Sequence, residues 1–152
     1  MPIETRGIRN NNPGNIRYDS HSFWDGLSNP PSDGVFCVFM DAKYGIRVMF
    51  KLLLAYQQRH NLRTVRAMID RWAPPVENDT HAYVEYVARG MGFDPDKQFT
   101  FNGQLAVLMV EAMIRMENGK NPYRQDVILA GARLAGLDVD VALPGVPMGE
   151  DT

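Results

Sequence analysis

Glu117 is the residue of this sequence best suited to acid–base chemistry. It lies near the end of an apolar helical run, AMIRMENG, with Met113 one turn before it. Residues four apart share a helix face, so Glu117 lies at the edge of the apolar stripe. Apolar neighbours and the carboxyl end of the helix both favour the protonated acid that can protonate a leaving group. The alternative is a solvated glutamate before an ordinary Asn-Gly stop.

Two further carboxylates, Glu77 and Asp79, precede a helix start in PPVENDTHAY. Either one would be a second catalytic carboxylate if the fold placed it across a cleft from Glu117. The competing interpretation is structural, with Asp79 or Thr80 as the helix cap and Glu77 as a partner of the helix dipole. Spacing in the sequence does not decide between the two.

An Asn- and Arg-rich segment, RGIRNNNPGNIRY, lies near the N-terminus. Its amide and guanidinium groups suit sugar hydroxyls and acetamido groups, or phosphate. Alternatively, the Asn side chains satisfy the backbone of a turn-rich loop. A nucleic-acid site would need a wider basic face with stacking aromatic residues.

Composition excludes several other classes of function. The chain has 152 residues, 45% hydrophobic and 22% charged, which indicates one globular domain. Its net charge of −2 gives no general attraction to nucleic acid or an anionic membrane. Cys37 is the sole cysteine, and the three histidines lack metal-ligand spacing, so we expect no disulfide, metal or cofactor. We also expect no membrane span and no signal peptide.

The elements that would position these residues are mainly α-helical. Residues 1–34 have the Asn, Gly and Pro content of loops, and VFCVF, residues 35–39, favours a strand. Apolar periodicity and caps then predict five helices. They cover about 42–60, 64–72, 80–91, 104–117 and 123–135. The expected class is mainly α with a small irregular or β-like N-terminal region, as one domain over 1–137 and a flexible tail over 138–152.

Several long blocks resemble a family of small phage and prophage proteins usually labelled virion structural proteins. The blocks are RGIRNNNPGNIRY, DGVFCVF, YGIRVMFKLLLAY, RTVRAMIDRWAPPVENDTHAYVEYVA and AMIRMENGKNPY. They cover most of residues 6 to 135, and RWAPPVENDTHAY is the most specific of them. The resemblance implies a virion protein, with other virion proteins among its partners.

Shorter motifs resemble lysozyme-like enzymes. GNIRY, an aromatic strand and a GIR-type helix are similar to the order that follows the catalytic glutamate in lysozyme-like glucosaminidases. AMIRMENG is similar to the helix-end glutamate segment of lysozyme-like lytic transglycosylases. In those glucosaminidases the glutamate precedes the Asn-rich loop, whereas Glu117 follows it here. The resemblance therefore implies a lysozyme-like fold with a rearranged, circularly permuted element order.

Together these resemblances imply a virion-associated enzyme that degrades peptidoglycan. It would cleave the β-1,4 bond between N-acetylmuramic acid and N-acetylglucosamine as a glycosidase or lytic transglycosylase, with Glu117 and Glu77 as its catalytic candidates. Expected substrate contacts are Asn11, Asn15, Arg17, Asp79 and Tyr123. The protein would reside in the virion, or in the bacterial cytoplasm before assembly, and act on the periplasmic cell wall.

Two other functions stay open from the sequence. The first is a non-enzymatic virion component whose lysozyme-like scaffold binds glycan or another virion protein, because a fold does not carry function by itself. The second is a nucleic-acid contact through the Arg- and Asn-rich loop, which the net charge does not favour.

Overall fold

Helices dominate the computed structural model, which describes residues 4–76 and 78–139. The described chain contains six helices and a two-stranded antiparallel ribbon. In chain order the elements are α1 (Arg6–Arg9), β1 (Leu27–Ser32), β2 (Cys37–Phe39), α2 (Ala42–His60), α3 (Val65–Trp72), α4 (Thr80–Met91), α5 (Gly103–Asn118) and α6 (Gln125–Leu134). The expected mainly α class with a small β-like N-terminal region is confirmed.

The long helices begin and end where local chemistry predicts. The side chains of Asp41, Thr64 and Asp79 each accept a hydrogen bond from a backbone N–H two or three residues later, which caps α2, α3 and α4. Asn61 ends α2 with a left-handed φ of 52°, and Gly119 ends α5 with a φ of 76°. The predicted bounds of α2 are confirmed, and those of α5 differ by one residue at each end.

One large hydrophobic core joins the five long helices. Helix α2 packs against α6, α4 packs against α5, and α3 packs against α4. A smaller cluster of Cys37, Phe39 and Val48 lies under the ribbon. The largest buried side chains of the main core are Phe50, Ile46, Met49, Leu53, Met68, Ile69, Met109, Met113, Ile114 and Ile128. Buried side chains of α5, among them Met113 and Ile114, therefore hold the carboxyl end of this helix against the core.

The N-terminal region is more regular than the sequence predicts. Helix α1 forms one turn, where a loop is expected, and β1 contains Pro30 and Pro31. Proline lacks an N–H donor, but in a two-stranded ribbon each strand has an outer edge that needs none. The pairing of β1 with β2 is irregular, with a register shift between Leu27 and Ser32. The predicted strand over 35–39 is shorter in the structure and begins at Cys37.

The packed chain continues past the expected domain boundary at residue 137. Val139 is buried in the main core, and the Asp138 carbonyl lies close to Gly103 at the start of α5. The rest of the tail predicted to be flexible lies outside the described residues. Among the residues described, no helix has the length and apolar character needed to cross a membrane.

Candidate active site

Glu117 lies in the last turn of α5, and its half-buried carboxylate accepts three hydrogen bonds. Asn15 Nδ2 donates to Oε1 over 2.9 Å. The Trp72 indole N–H and the Tyr83 hydroxyl donate to Oε2 over 3.2 and 2.8 Å. These donors come from the N-terminal loop, the end of α3 and the first turns of α4. A single carboxylate thus joins four segments of the fold.

The two aromatic donors are positioned by helix ends. Trp72 is the last residue of α3, where Pro74 follows closely and the helix cannot continue. Tyr83 lies one turn into α4, the helix that Asp79 caps. Burial, and then the negative charge of Glu117, raise the pKa of Tyr83 well above its ordinary value. The hydroxyl therefore remains a proton donor to Glu117 at neutral pH.

Asn15 is held by a rigid loop. Its φ of 52° is left-handed, a conformation that Asn tolerates better than most residues. The fully buried Asn12 donates to the Ile16 and Cys37 carbonyls, and its own oxygen accepts from the Ile16 N–H. A Cβ at Gly14 would lie 2.8 Å from Met49 Cγ, so this stretch packs tightly on α2. The structural interpretation of the Asn-rich segment therefore applies to Asn12.

Asn118 joins the same loop to the end of α5. Its buried amide donates to the Pro13 and Ile114 carbonyls over 2.9 and 3.0 Å. Its oxygen accepts from the Thr5 hydroxyl over 2.6 Å. A Cβ at Gly7 would lie 2.8 Å from that oxygen, so only glycine fits there without a shift. The N-terminal segment is thereby fixed beside Glu117.

A cleft of about 550 Å³ opens beside Glu117. Its lining combines residues 5–7, 14–17 and Phe36 with residues of α2 and the 72–74 segment. This volume is typical of a ligand-binding site in proteins. Among the described residues that line the cleft, Glu117 is the single carboxylate. The cleft therefore offers one carboxylate for proton transfer, with aromatic and amide groups around it.

Two arginines approach the same aromatic ring in the cleft lining. The guanidinium carbons of Arg6 and Arg17 lie 4.7 and 5.5 Å from the ring centroid of Phe36. Arg6 Nε also donates to Asp33 Oδ2 over 2.6 Å. Asp33 accepts further bonds from Asn10 and from the backbone of residues 35 and 36. Chiefly because of Arg6, the pKa of Asp33 lies well below its usual range.

The structure brings some of the predicted site residues together and separates others. Asn15 and Arg17 line the cleft with Glu117. Asn11 instead donates to the Phe39 carbonyl, and Asp79 caps α4. Neither residue is among those that line the cleft. A substrate contact through Asn11 or Asp79 stays a prediction.

Tyr123 and Glu77 are the remaining predicted site residues. The Tyr123 hydroxyl is buried, has no hydrogen-bond partner among the described residues and does not line the cleft. Burial raises its pKa to about 12. Glu77, the second catalytic candidate, lies outside the described residues. Both roles stay predictions.

Sequence reasoning missed the partners of Glu117. In the sequence Trp72 and Tyr83 fall at apolar positions of two amphipathic helices, which predicts packing and not hydrogen bonding. Asn118 was expected only as part of a helix stop. Their polar atoms find partners 34 to 113 residues away in the chain, so local spacing carries no signal for them. Within the described ranges, no group of three or more His, Cys, Asp or Glu side chains is placed to hold a metal ion.

Comparison with known proteins gives a phage relative. No protein-family model matches the chain. Over 128 residues the chain is 38% identical to Protein P5 of Pseudoalteromonas phage PM2. The matched segment covers 83% of this chain and 79% of that protein. The matched part is long enough to include most of the described fold. The chain therefore belongs to the phage protein family that includes Protein P5 of Pseudoalteromonas phage PM2.

Proposed function

We propose that the protein is a virion-associated enzyme that cleaves peptidoglycan glycan strands, with Glu117 as its general acid. The observation that carries the proposal is the position of Glu117 at the cleft, held there by Asn15, Trp72 and Tyr83. A fixed carboxyl beside an open cleft is the geometry that leaving-group protonation needs. The proposed fold is lysozyme-like, with the acid-bearing helix late in the chain.

The two oxygens of Glu117 have different roles in this proposal. Trp72 and Tyr83 both donate to Oε2, which fills the usual acceptor positions of that oxygen. Oε1 accepts one described bond, from Asn15, and retains a lone pair for the catalytic proton. After proton transfer the three donors stabilise the resulting carboxylate. Oε1 is thus the oxygen proposed to carry the catalytic proton, and the hydrogen bonds to Oε2 hold the carboxyl group in position.

The proposed reaction breaks the β-1,4 bond between N-acetylmuramic acid and N-acetylglucosamine. Glu117 gives its proton to the glycosidic oxygen as the bond to muramoyl C1 breaks. The muramoyl 6-hydroxyl then attacks C1, and its proton returns to Glu117. The products are a 1,6-anhydromuramoyl end and a free N-acetylglucosamine end. This single-acid route suits a cleft whose described lining contains one carboxylate.

A hydrolytic route would need a second carboxylate to activate water. Glu77 is the candidate for that role, because Pro74 and Asn78, which precede and follow it in the sequence, line the cleft. The anhydro product and the hydrated product therefore distinguish a lytic transglycosylase from a muramidase.

One observation favours a non-enzymatic alternative. The same three hydrogen bonds tie α3, α4 and the N-terminal loop to α5, so Glu117 also suits a purely structural role. In that case the cleft would bind glycan, or another virion protein, without cleaving it. Stability and activity separate the two roles when they are measured on the same variant.

Glu117→Gln is the decisive substitution. A glutamine can keep its oxygen towards Trp72 and Tyr83 and present its amide to Asn15, whose own amide turns over to accept. We expect it to remove the release of soluble muropeptides from purified Gram-negative sacculi, with a fall of at least about 100-fold. We expect unfolding free energy to change by less than about 1 kcal/mol.

Glu111→Gln is the matched control. Glu111 lies on the same helix, is half-buried and is absent from the residues that line the cleft. The Glu111→Gln variant should still release muropeptides from sacculi. Release by Glu117→Gln at the wild-type rate, or no release by folded wild-type protein, would remove the proposal.

A further inference from the structure

Arg6, Arg17 and Phe36 form a cationic wall within the cleft lining. Their closeness is fixed by the backbone, because Arg17 and Phe36 form an antiparallel bridge and the Tyr18 N–H donates to the Val35 carbonyl. Arg17 is also two residues from Asn15, so the α-carbons of these two residues are at most about 7 Å apart. The cationic wall therefore belongs to the same cleft as the Glu117 carboxyl.

The charge of this wall is unusual for the chain. The sequence carries a net charge of −2, yet the charged groups lining the cleft are two guanidinium groups and one carboxylate. Asp33 balances Arg6 from outside the cleft lining. Guanidinium groups on an aromatic face bind planar carboxylates well, because they offer two parallel N–H donors. An anionic ligand suits this wall better than an uncharged sugar does.

We propose that the cationic wall binds a carboxylate carried by the muramoyl residue of the substrate, with Arg17 as the main contact. The inference rests on the proposed function and specifies its substrate class. Sugar rings and acetamido groups are uncharged, whereas the lactyl group of muramic acid ends in a carboxylate where no stem peptide is attached, and an attached stem peptide carries carboxylates of its own. Recognition of either source would distinguish peptidoglycan from chitin, whose backbone is otherwise similar. Arg17 is therefore a specificity-determining residue rather than part of the acid.

Binding to soluble glycans tests this proposal, and the Glu117→Gln background prevents turnover. Three ligands of matched length are compared by calorimetry. They are strands with stem peptides, strands whose stems an amidase has removed to leave the lactyl carboxylate, and chitin oligomers. The variants are Arg17→Gln, Arg17→Lys and, as a matched control, Arg89→Gln, whose side chain is exposed on α4.

We expect Arg17→Gln to weaken binding of muramoyl-containing strands about tenfold and to leave chitin binding unchanged. Arg17→Lys should recover part of the loss, and Arg89→Gln should show none. In stem-bearing strands the lactyl carboxyl forms the amide to the stem, so a loss confined to the amidase-treated strands assigns the contact to the lactyl carboxylate. A loss confined to stem-bearing strands assigns it to a carboxylate of the peptide, and a loss for both ligands shows that the wall accepts either carboxylate.

Equal affinity for chitin and muramoyl strands, or an equal loss of both in Arg17→Gln, overturns the carboxylate site. Cleavage of sacculi by the wild type is measured separately. Cleavage without selective binding removes only this inference. Selective binding without cleavage removes the enzymatic function and keeps the carboxylate site.

Discussion

The Tyr83 hydroxyl donates a 2.8 Å hydrogen bond to Glu117 Oε2, although 34 residues separate the two in the chain. Trp72 donates to the same oxygen, and Asn15 donates to the other. The carboxyl group is therefore oriented by side chains that belong to three different segments. Its direction into the cleft depends on tertiary packing and not on α5 alone.

Tyr83→Phe tests whether this orientation matters for activity. The substitution keeps the buried ring and removes one donor to Oε2, so we expect release from sacculi to fall about 100-fold. We expect unfolding free energy to fall by about 1 kcal/mol, because one part-buried hydrogen bond is lost. Tyr86→Phe is the control, since Tyr86 is partly exposed on the same helix. Unchanged activity in Tyr83→Phe would show that the hydroxyl only stabilises the fold.

Asn12→Ala tests the loop that carries Asn15. The substitution removes three hydrogen bonds from a fully buried position, including the one that the Ile16 N–H donates to the Asn12 side chain. We expect a loss of about 2–4 kcal/mol in unfolding free energy, measured by denaturant titration. Activity should fall in the folded variant as well, because Asn15 is no longer fixed. If the unfolding free energy stays within about 0.5 kcal/mol of the wild-type value and the activity within about twofold, the loop is held by other contacts.

Asp33 should contribute to stability in a pH-dependent way. Its pKa is depressed, first by the hydrogen bond from Arg6, so its contribution is present above the ordinary carboxyl pKa of about 4. It is lost as the pH falls below that value, because the unfolded state then binds the proton more readily. Denaturant unfolding between about pH 6 and pH 2.5 measures this contribution. As the pH falls, the unfolding free energy should decline more steeply for the wild type than for Asp33→Asn.

Asp96→Asn is the comparison for that experiment. Asp96 also has a lowered pKa, owing to Arg66, but its side chain is 65% exposed against 20% for Asp33. Solvent screening should make its effect on the acid decline smaller. An equal effect of the two substitutions would contradict a special role for the Arg6–Asp33 pair.

Most of the helical fold follows from local signals. Neighbouring residues are enough to predict the helix caps at Asp41 and Thr64. They also predict the apolar periodicity that runs from each cap to the end of its helix. Strand β1 and helix α1 could not be read in this way. Strand β1 contains two prolines and depends on pairing with β2, and α1 is a single turn held by Thr5 and its contact with Asn118.

The candidate site was predictable only in part. Glu117 combines a carboxylate with an apolar helix end, and Asn15 and Arg17 lie in a loop of recognisable composition, so these residues carry local signals. Trp72 and Tyr83 look like ordinary members of amphipathic helices, because the partner that gives them a role lies 45 and 34 residues away. The convergence of these segments is a property of the packed helices.

The mass of the muropeptides released from purified sacculi tests the single-acid mechanism most directly. Wild type, Glu117→Gln and Glu77→Gln are compared under the same conditions. We predict 1,6-anhydromuramoyl ends from the wild type and from Glu77→Gln, and no release from Glu117→Gln. Hydrated reducing ends that disappear in Glu77→Gln, or equal release by Glu117→Gln, would contradict catalysis by Glu117 as the single acid.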